Sequence, residues 1–70
     1  MARTRVISML QKTFEAQKEK ALLTLELLTE HPAGIGDHST QDFYNNAEEA
    51  ARALAEAEDV LETLTRHFSE

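Results

Sequence analysis

Cysteine and tryptophan are absent from the 70-residue sequence, which also contains only one proline and two glycines. Without cysteine the chain can form neither a disulfide nor a thiolate zinc site, two devices that commonly stabilise chains this short. Oligomerisation and a metal site built from His and Asp are the stabilising devices that remain. Long hydrophobic runs are also missing, since none approaches the roughly 20 residues that span a bilayer.

Basic residues are scarce: seven Lys and Arg stand against thirteen Asp and Glu, for a net charge of −6. Residues 1–30 hold five basic and four acidic groups, giving +1, whereas residues 31–70 hold two and nine, giving −7. Binding to nucleic acids and docking on anionic membranes both need basic groups. We therefore expect no nucleic-acid or membrane partner, and we expect a cytoplasmic protein because the lack of cysteine suits a reducing compartment.

The residues that interrupt helices are concentrated in one segment, which holds Pro32, Gly34 and Gly36. Proline cannot continue a helix, and glycine permits a sharp turn. The sequence on either side is rich in good helix formers, and Ser39 followed by Asp42 resembles a helix cap. The pattern predicts an all-α fold, an antiparallel helical hairpin with helices at about 3–30 and 39–68, forming a single domain over residues 1–70.

Apolar residues on the second predicted helix recur at alternating intervals of four and three, which is an unbroken heptad seam. The seam consists of Phe43, Ala47, Ala50, Leu54, Ala57, Leu61, Leu64 and Phe68. On the first helix the same spacing selects Ile7, Leu10, Phe14, Gln17, Ala21, Thr24 and Leu28. Two polar residues, Gln17 and Thr24, interrupt this seam on the first helix. Either Gln17 and Thr24 fix the register of the helices, or a slight rotation of the helix puts Leu25 in place of Thr24.

The two seams match each other when the helices are folded back antiparallel. The predicted pairs are Ile7–Leu64, Leu10–Leu61, Phe14–Ala57, Gln17–Leu54, Ala21–Ala50 and Leu28–Phe43. This register places the large Phe14 opposite the small Ala57, as interdigitated packing requires.

Many apolar residues lie on the flanks of the seams, where one hairpin cannot bury them. A pair of hairpins would bury them in a four-helix bundle, so we predict a homodimer or higher oligomer. The alternative is a groove supplied by another protein. The predicted interface consists of Met9, Leu22, Leu23, Leu27, Ile35, Tyr44, Ala51, Ala53 and Val60.

The segment between the helices, residues 31–39, is the most unusual stretch of the sequence. The favoured interpretation is an efficient hairpin connector, and a second interpretation is a recognition knob with Ile35 at its tip. A third is a metal site using His31, Asp37 and His38, but two His residues seven positions apart are a weak metal signal. We therefore predict no metal and no cofactor.

No arrangement of residues points to catalysis. There is no cysteine nucleophile, and no serine has an obvious base and carboxylate nearby. Carboxylates need a water-poor cleft to act as acid and base, and a two-helix hairpin offers none. We therefore predict that the chain is not an enzyme.

Two stretches carry a resemblance to known proteins: residues 27–38, which hold the turn motif His-Pro-x-x-Ile-Gly-Asp-His, and Ala-Glu-Asp-Val-Leu-Glu-Thr-Leu at 57–64. The chain resembles, over roughly residues 20–68, small two-helix proteins of tailed phages that infect cyanobacteria and other marine bacteria. The resemblance implies a phage source and the host cytoplasm, but no mechanism. The predicted function is therefore a non-enzymatic protein–protein interaction or accessory protein that acts on a host or phage protein. The alternative is a small structural component of a virion or scaffold.

Overall fold

The computed structural model describes residues 2–30 and 40–68, and both segments are α-helices. Helix α1 spans Ala2–Glu30 and helix α2 spans Thr40–Phe68, with 29 residues each. Each helix is about 43 Å long at 1.5 Å per residue, and the two pack against each other within a body of 50 × 15 × 15 Å. The prediction of an all-α hairpin is confirmed, and each helix begins within one residue of its predicted start.

The ends of the two helices differ in how well their charges suit the helix dipole. Helix α2 has Asp42 in its first turn, and Arg66 and His67 in its last turn, where each charge opposes the partial charge of the helix end. Helix α1 has no acidic residue in its first turn and no basic residue in its last. It is also the less amphipathic of the two. We infer that α1 depends more than α2 on packing for its stability.

The core is a narrow line of small and medium side chains along the contact between the helices. Its five buried members are Ala21, Leu28, Ala50, Ala57 and Leu64. All five belong to the predicted seams, and Ala57 is completely enclosed, with 0% of its surface exposed. Of the remaining seam residues, Phe68 is exposed and the rest are half-buried. No buried polar side chain occurs within the described part of the chain. The core is therefore apolar but thin.

The two polar residues in the α1 seam satisfy their hydrogen bonds in different ways. The Gln17 side-chain amide donates to the backbone carbonyl of Ala53 on α2, at 3.1 Å between Nε2 and O. Ala53 is the neighbour of Leu54, the predicted partner, so this contact agrees with the predicted register. The Thr24 hydroxyl donates to the carbonyl of Lys20 within α1, at 2.9 Å. Thr24 and Leu25 are both half-buried, so the replacement of Thr24 by Leu25 in the seam stays a prediction.

The role of Gln17 leads to a prediction about the substitution Gln17→Leu. The lost hydrogen bond contributes about 0.5–1.5 kcal/mol, and a half-buried leucine recovers a similar amount, about 1 kcal/mol. We expect the free energy of unfolding to change little and the number of species to increase, because a polar seam residue restricts register and oligomeric state. Light scattering coupled to size exclusion measures the number and mass of the species, and Gln11→Leu on the same helix is the control. A single sharp species for both variants would contradict a register role for Gln17.

Candidate interaction surface

Large apolar side chains are exposed on the surface of the hairpin, chiefly on α1. The six in the described ranges are Val6 (50% exposed), Met9 (53%), Leu23 (57%), Leu27 (52%), Tyr44 (53%) and Phe68 (40%). Scattered exposed apolar residues are ordinary on proteins, whereas an ordered row of them is informative. The four on α1 form such a row.

The row on α1 has heptad spacing of its own. Its seven members are all exposed, and we call them the α1 stripe: Val6, Met9, Thr13, Ala16, Lys20, Leu23 and Leu27. Each member directly precedes a residue of the α1 seam, so the stripe lies about 100° around the helix from the seam. The seam faces α2, and the stripe therefore forms an adjacent side of the hairpin.

A groove of about 520 Å³ runs beside the α1 stripe, between the two helices. It is lined by Gln17, Lys20, Ala21, Thr24, Leu28, Asn46, Glu49, Ala50 and Ala53. Ala21, Ala50 and Ala53 are too small to fill the space between the two helices along this part of their contact. Lys20 belongs both to the groove and to the α1 stripe, so the groove opens on the same side as the stripe.

The opposite side of the hairpin carries a second, smaller apolar surface. Its residues follow the seam residues by one position, and we call them the Tyr44 flank: Leu22, Leu25, Tyr44 and Ala51. Tyr44 and Ala51 are exposed, and the two leucines are half-buried. The Tyr44 ring packs edge-on against Phe43 at 6.0 Å between centroids. Near the leucines lies a recess of about 240 Å³, lined by Leu22, Leu25, Glu26, Thr29 and Glu30.

Negative charge is concentrated on the exposed surface of α2. The exposed acidic residues there include Glu48, Glu49, Glu56, Glu58, Asp59 and Glu62. The Glu62 carboxylate accepts a hydrogen bond from the Arg66 guanidinium at 2.6 Å, and an exposed pair of this kind adds at most about 1 kcal/mol. The α1 stripe, in contrast, has Lys20 as its one charged member. The two helices therefore present electrostatically different surfaces.

The predicted interface residues divide into three groups in the structure. Exposed are Met9, Leu23, Leu27, Tyr44 and Ala51; half-buried are Leu22, Ala53 and Val60; and Ile35 lies outside the described residues. Whether they contact a partner remains a prediction. Sequence reasoning missed Val6 and Ala16, which belong to the α1 stripe. A search for a second 3–4 spacing, displaced by one residue from the seam, would have found both.

The predicted loop features, including His31, Asp37 and His38, lie outside the described residues. Across residues 2–30 and 40–68, no group of three His, Cys, Asp or Glu is placed to hold a metal ion. Neither α1 nor α2 combines the length and apolar character needed to cross a membrane. Comparisons with protein families, with curated proteins and with solved structures each found no match to this chain.

Proposed function

We propose that this chain is a non-enzymatic interaction protein that self-associates and presents a second surface to another protein. The observation that carries the proposal is the contrast between a core of five buried residues and six large apolar side chains that are 40–57% exposed. A hairpin built in this way gains more apolar burial from a second chain than from any rearrangement of its own.

The thin core supports the self-association part of the proposal. Chains of this length rarely gain more than about 3–5 kcal/mol from a single core. The chain has no cysteine for a disulfide. A four-helix dimer would place apolar flanks in a shared core and so stabilise both hairpins.

The Tyr44 flank supports the second part, contact with a different protein. Tyrosine is enriched at protein interfaces because it combines a large apolar ring with a polar hydroxyl. Glu26 lines the adjoining recess and Glu48 lies one turn beyond Tyr44 on α2, so the surroundings are acidic. The chemistry favours a partner with an apolar anchor side chain flanked by Lys or Arg. The resemblance of residues 20–68 to phage proteins suggests that this partner is a host or phage protein.

The heteromeric contact is tested with a photo-crosslinking phenylalanine analogue in place of Tyr44, in the cell that produces the protein. We expect a discrete adduct with another protein, which mass spectrometry identifies. The control places the same analogue at Asp59, an exposed position on the same helix, and should give no such adduct. With the identified partner purified, Tyr44→Ala should weaken binding by tenfold or more, since a central interface tyrosine contributes at least about 1–2 kcal/mol.

Two outcomes would contradict the heteromeric proposal. Adducts that contain only copies of this chain would mean that the Tyr44 flank serves self-assembly. Recovery of the chain in stoichiometric amounts from purified phage particles would support the alternative, a small structural component.

A further inference from the structure

We infer that the α1 stripe is the docking surface for a second copy of this chain, packed antiparallel across a two-fold axis beside Ala16. The inference rests on the self-association proposed above and specifies its geometry. It follows from the order of residues along the stripe, from the distribution of charge and from the angle between stripe and seam.

The order of apolar and polar residue types along the α1 stripe is the same when it is read from either end. From either end the stripe has two large apolar residues and then a polar one before the central alanine: Val6, Met9, Thr13, Ala16, Lys20, Leu23 and Leu27. A two-fold interface requires this property, because each contact between residues i and j occurs twice, once in each direction. With Ala16 at the axis, Val6 lies opposite Leu27 of the second copy and Met9 lies opposite its Leu23.

The polar members of the stripe also pair in this arrangement. Thr13 lies opposite Lys20 of the second copy, which keeps the two lysines apart. The Thr13 hydroxyl already donates its proton to the carbonyl of Met9, at 2.9 Å. Its oxygen retains lone pairs that can accept a hydrogen bond, and the Lys20 ammonium has three protons to donate.

The charge distribution selects α1 rather than α2 as the centre of the interface. The α1 stripe has Lys20 as its one charged member, whereas the exposed surface of α2 carries carboxylates such as Glu49 and Glu56, and like charges in an interface are unfavourable. The α1–α1 arrangement pairs apolar residues with each other at both ends of the stripe and pairs polar residues with each other on both sides of Ala16.

The shape of the stripe suits close packing of two helices. The small Ala16 at its centre lets the helix axes approach each other, while larger side chains interlock on both sides. The stripe extends from Val6 to Leu27, about 32 Å of helix. Because it lies about 100° from the seam, α1 can contact α2 on one side and a second α1 on an adjacent side.

The absence of cysteine makes the geometry testable by single-cysteine crosslinking of the full chain. Ala16→Cys places two thiols at the two-fold axis, within the 4.4–6.8 Å between Cα atoms that a disulfide needs. We expect mild oxidation to convert most of this variant to a disulfide-linked dimer. Met9→Cys should stay largely unlinked, because the two copies of residue 9 lie about 21 Å apart along antiparallel helices. The double variant with Met9→Cys and Leu23→Cys should be linked.

The matched control is Glu15→Cys, an exposed position whose side chain leaves the helix about 100° from that of Ala16. Linkage of Glu15→Cys as fast as Ala16→Cys would reflect random collision and would overturn the inference. Efficient linkage of Met9→Cys alone would show a parallel pair and would overturn it too. Light scattering on the unmodified chain separates the two proposals. If the unmodified chain is a dimer but Ala16→Cys fails to link, self-association holds and the α1 stripe is not the interface. If the unmodified chain is a monomer at all concentrations, both self-association and this interface are contradicted.

Discussion

Replacing Ala57 by leucine is expected to lower the free energy of unfolding by about 1–3 kcal/mol. Ala57 is completely enclosed, and the predicted register places it opposite the ring of Phe14. Three additional carbon atoms cannot fit there unless the helices separate or side chains leave their preferred rotamers. A core of this size supplies only about 3–5 kcal/mol. Chemical denaturation followed by far-UV circular dichroism measures the loss.

The control for this substitution is Ala55→Leu, two residues away on the same helix. Ala55 is exposed, and alanine and leucine have similar helix propensities. The free energy of unfolding of Ala55→Leu should differ from that of the unmodified chain by less than about 0.5 kcal/mol. If both variants lost the same free energy of unfolding, the face of α2 that contacts α1 would not be the one that contains Ala57.

The sequence predicted the hairpin well because the α2 seam is uninterrupted. Eight apolar residues in strict 4–3 alternation leave one choice of face for α2, and Pro32 with its two neighbouring glycines leaves one place for the turn. The buried members of α2, Ala50, Ala57 and Leu64, all come from this seam. Periodicity determines which face is covered because burial of that face provides most of the stabilisation.

The details that the sequence did not predict depend on interatomic distances. The register role is one of two interpretations of Gln17 and names no acceptor, and only the structure shows that its amide reaches the carbonyl of Ala53. Thr24 interrupts the seam at little cost, because its hydroxyl bonds to its own helix. A periodic pattern contains neither fact, since it places residues on faces but does not say which atoms lie within hydrogen-bonding distance.

The sequence predicted most residues of the candidate surface but not on which side of the hairpin each of them lies. Met9, Leu23 and Leu27 were recognised as lying away from the seam, yet they were grouped with residues of the opposite side such as Tyr44. Val6, which directly precedes Ile7 of the seam, is not among the predicted interface residues. The exposure of each residue in the structure separates the two sides and shows that every member of the α1 stripe is exposed.

Leu28→Ala and Leu27→Ala are expected to act on different equilibria, although the residues are adjacent. Leu28 is 7% exposed and Leu27 is 52% exposed. Removing the buried side chain costs about 2–5 kcal/mol, most of what a core of this size provides. We therefore expect Leu28→Ala to lose helicity at every protein concentration. Circular dichroism and light scattering over a hundredfold dilution follow folding and association together.

Leu27→Ala should keep the helicity of concentrated samples and weaken association instead. In the proposed two-fold interface each Leu27 contributes to both halves, so one substitution removes two side chains, each worth about 1 kcal/mol when half of its surface is buried. The dissociation constant of the dimer should rise by about tenfold to a hundredfold. If Leu27→Ala instead lowers helicity as much as Leu28→Ala at high concentration, Leu27 is part of the hairpin core and the α1 stripe is not a free surface. A dissociation constant that stays unchanged would place the dimer interface on another side of the hairpin.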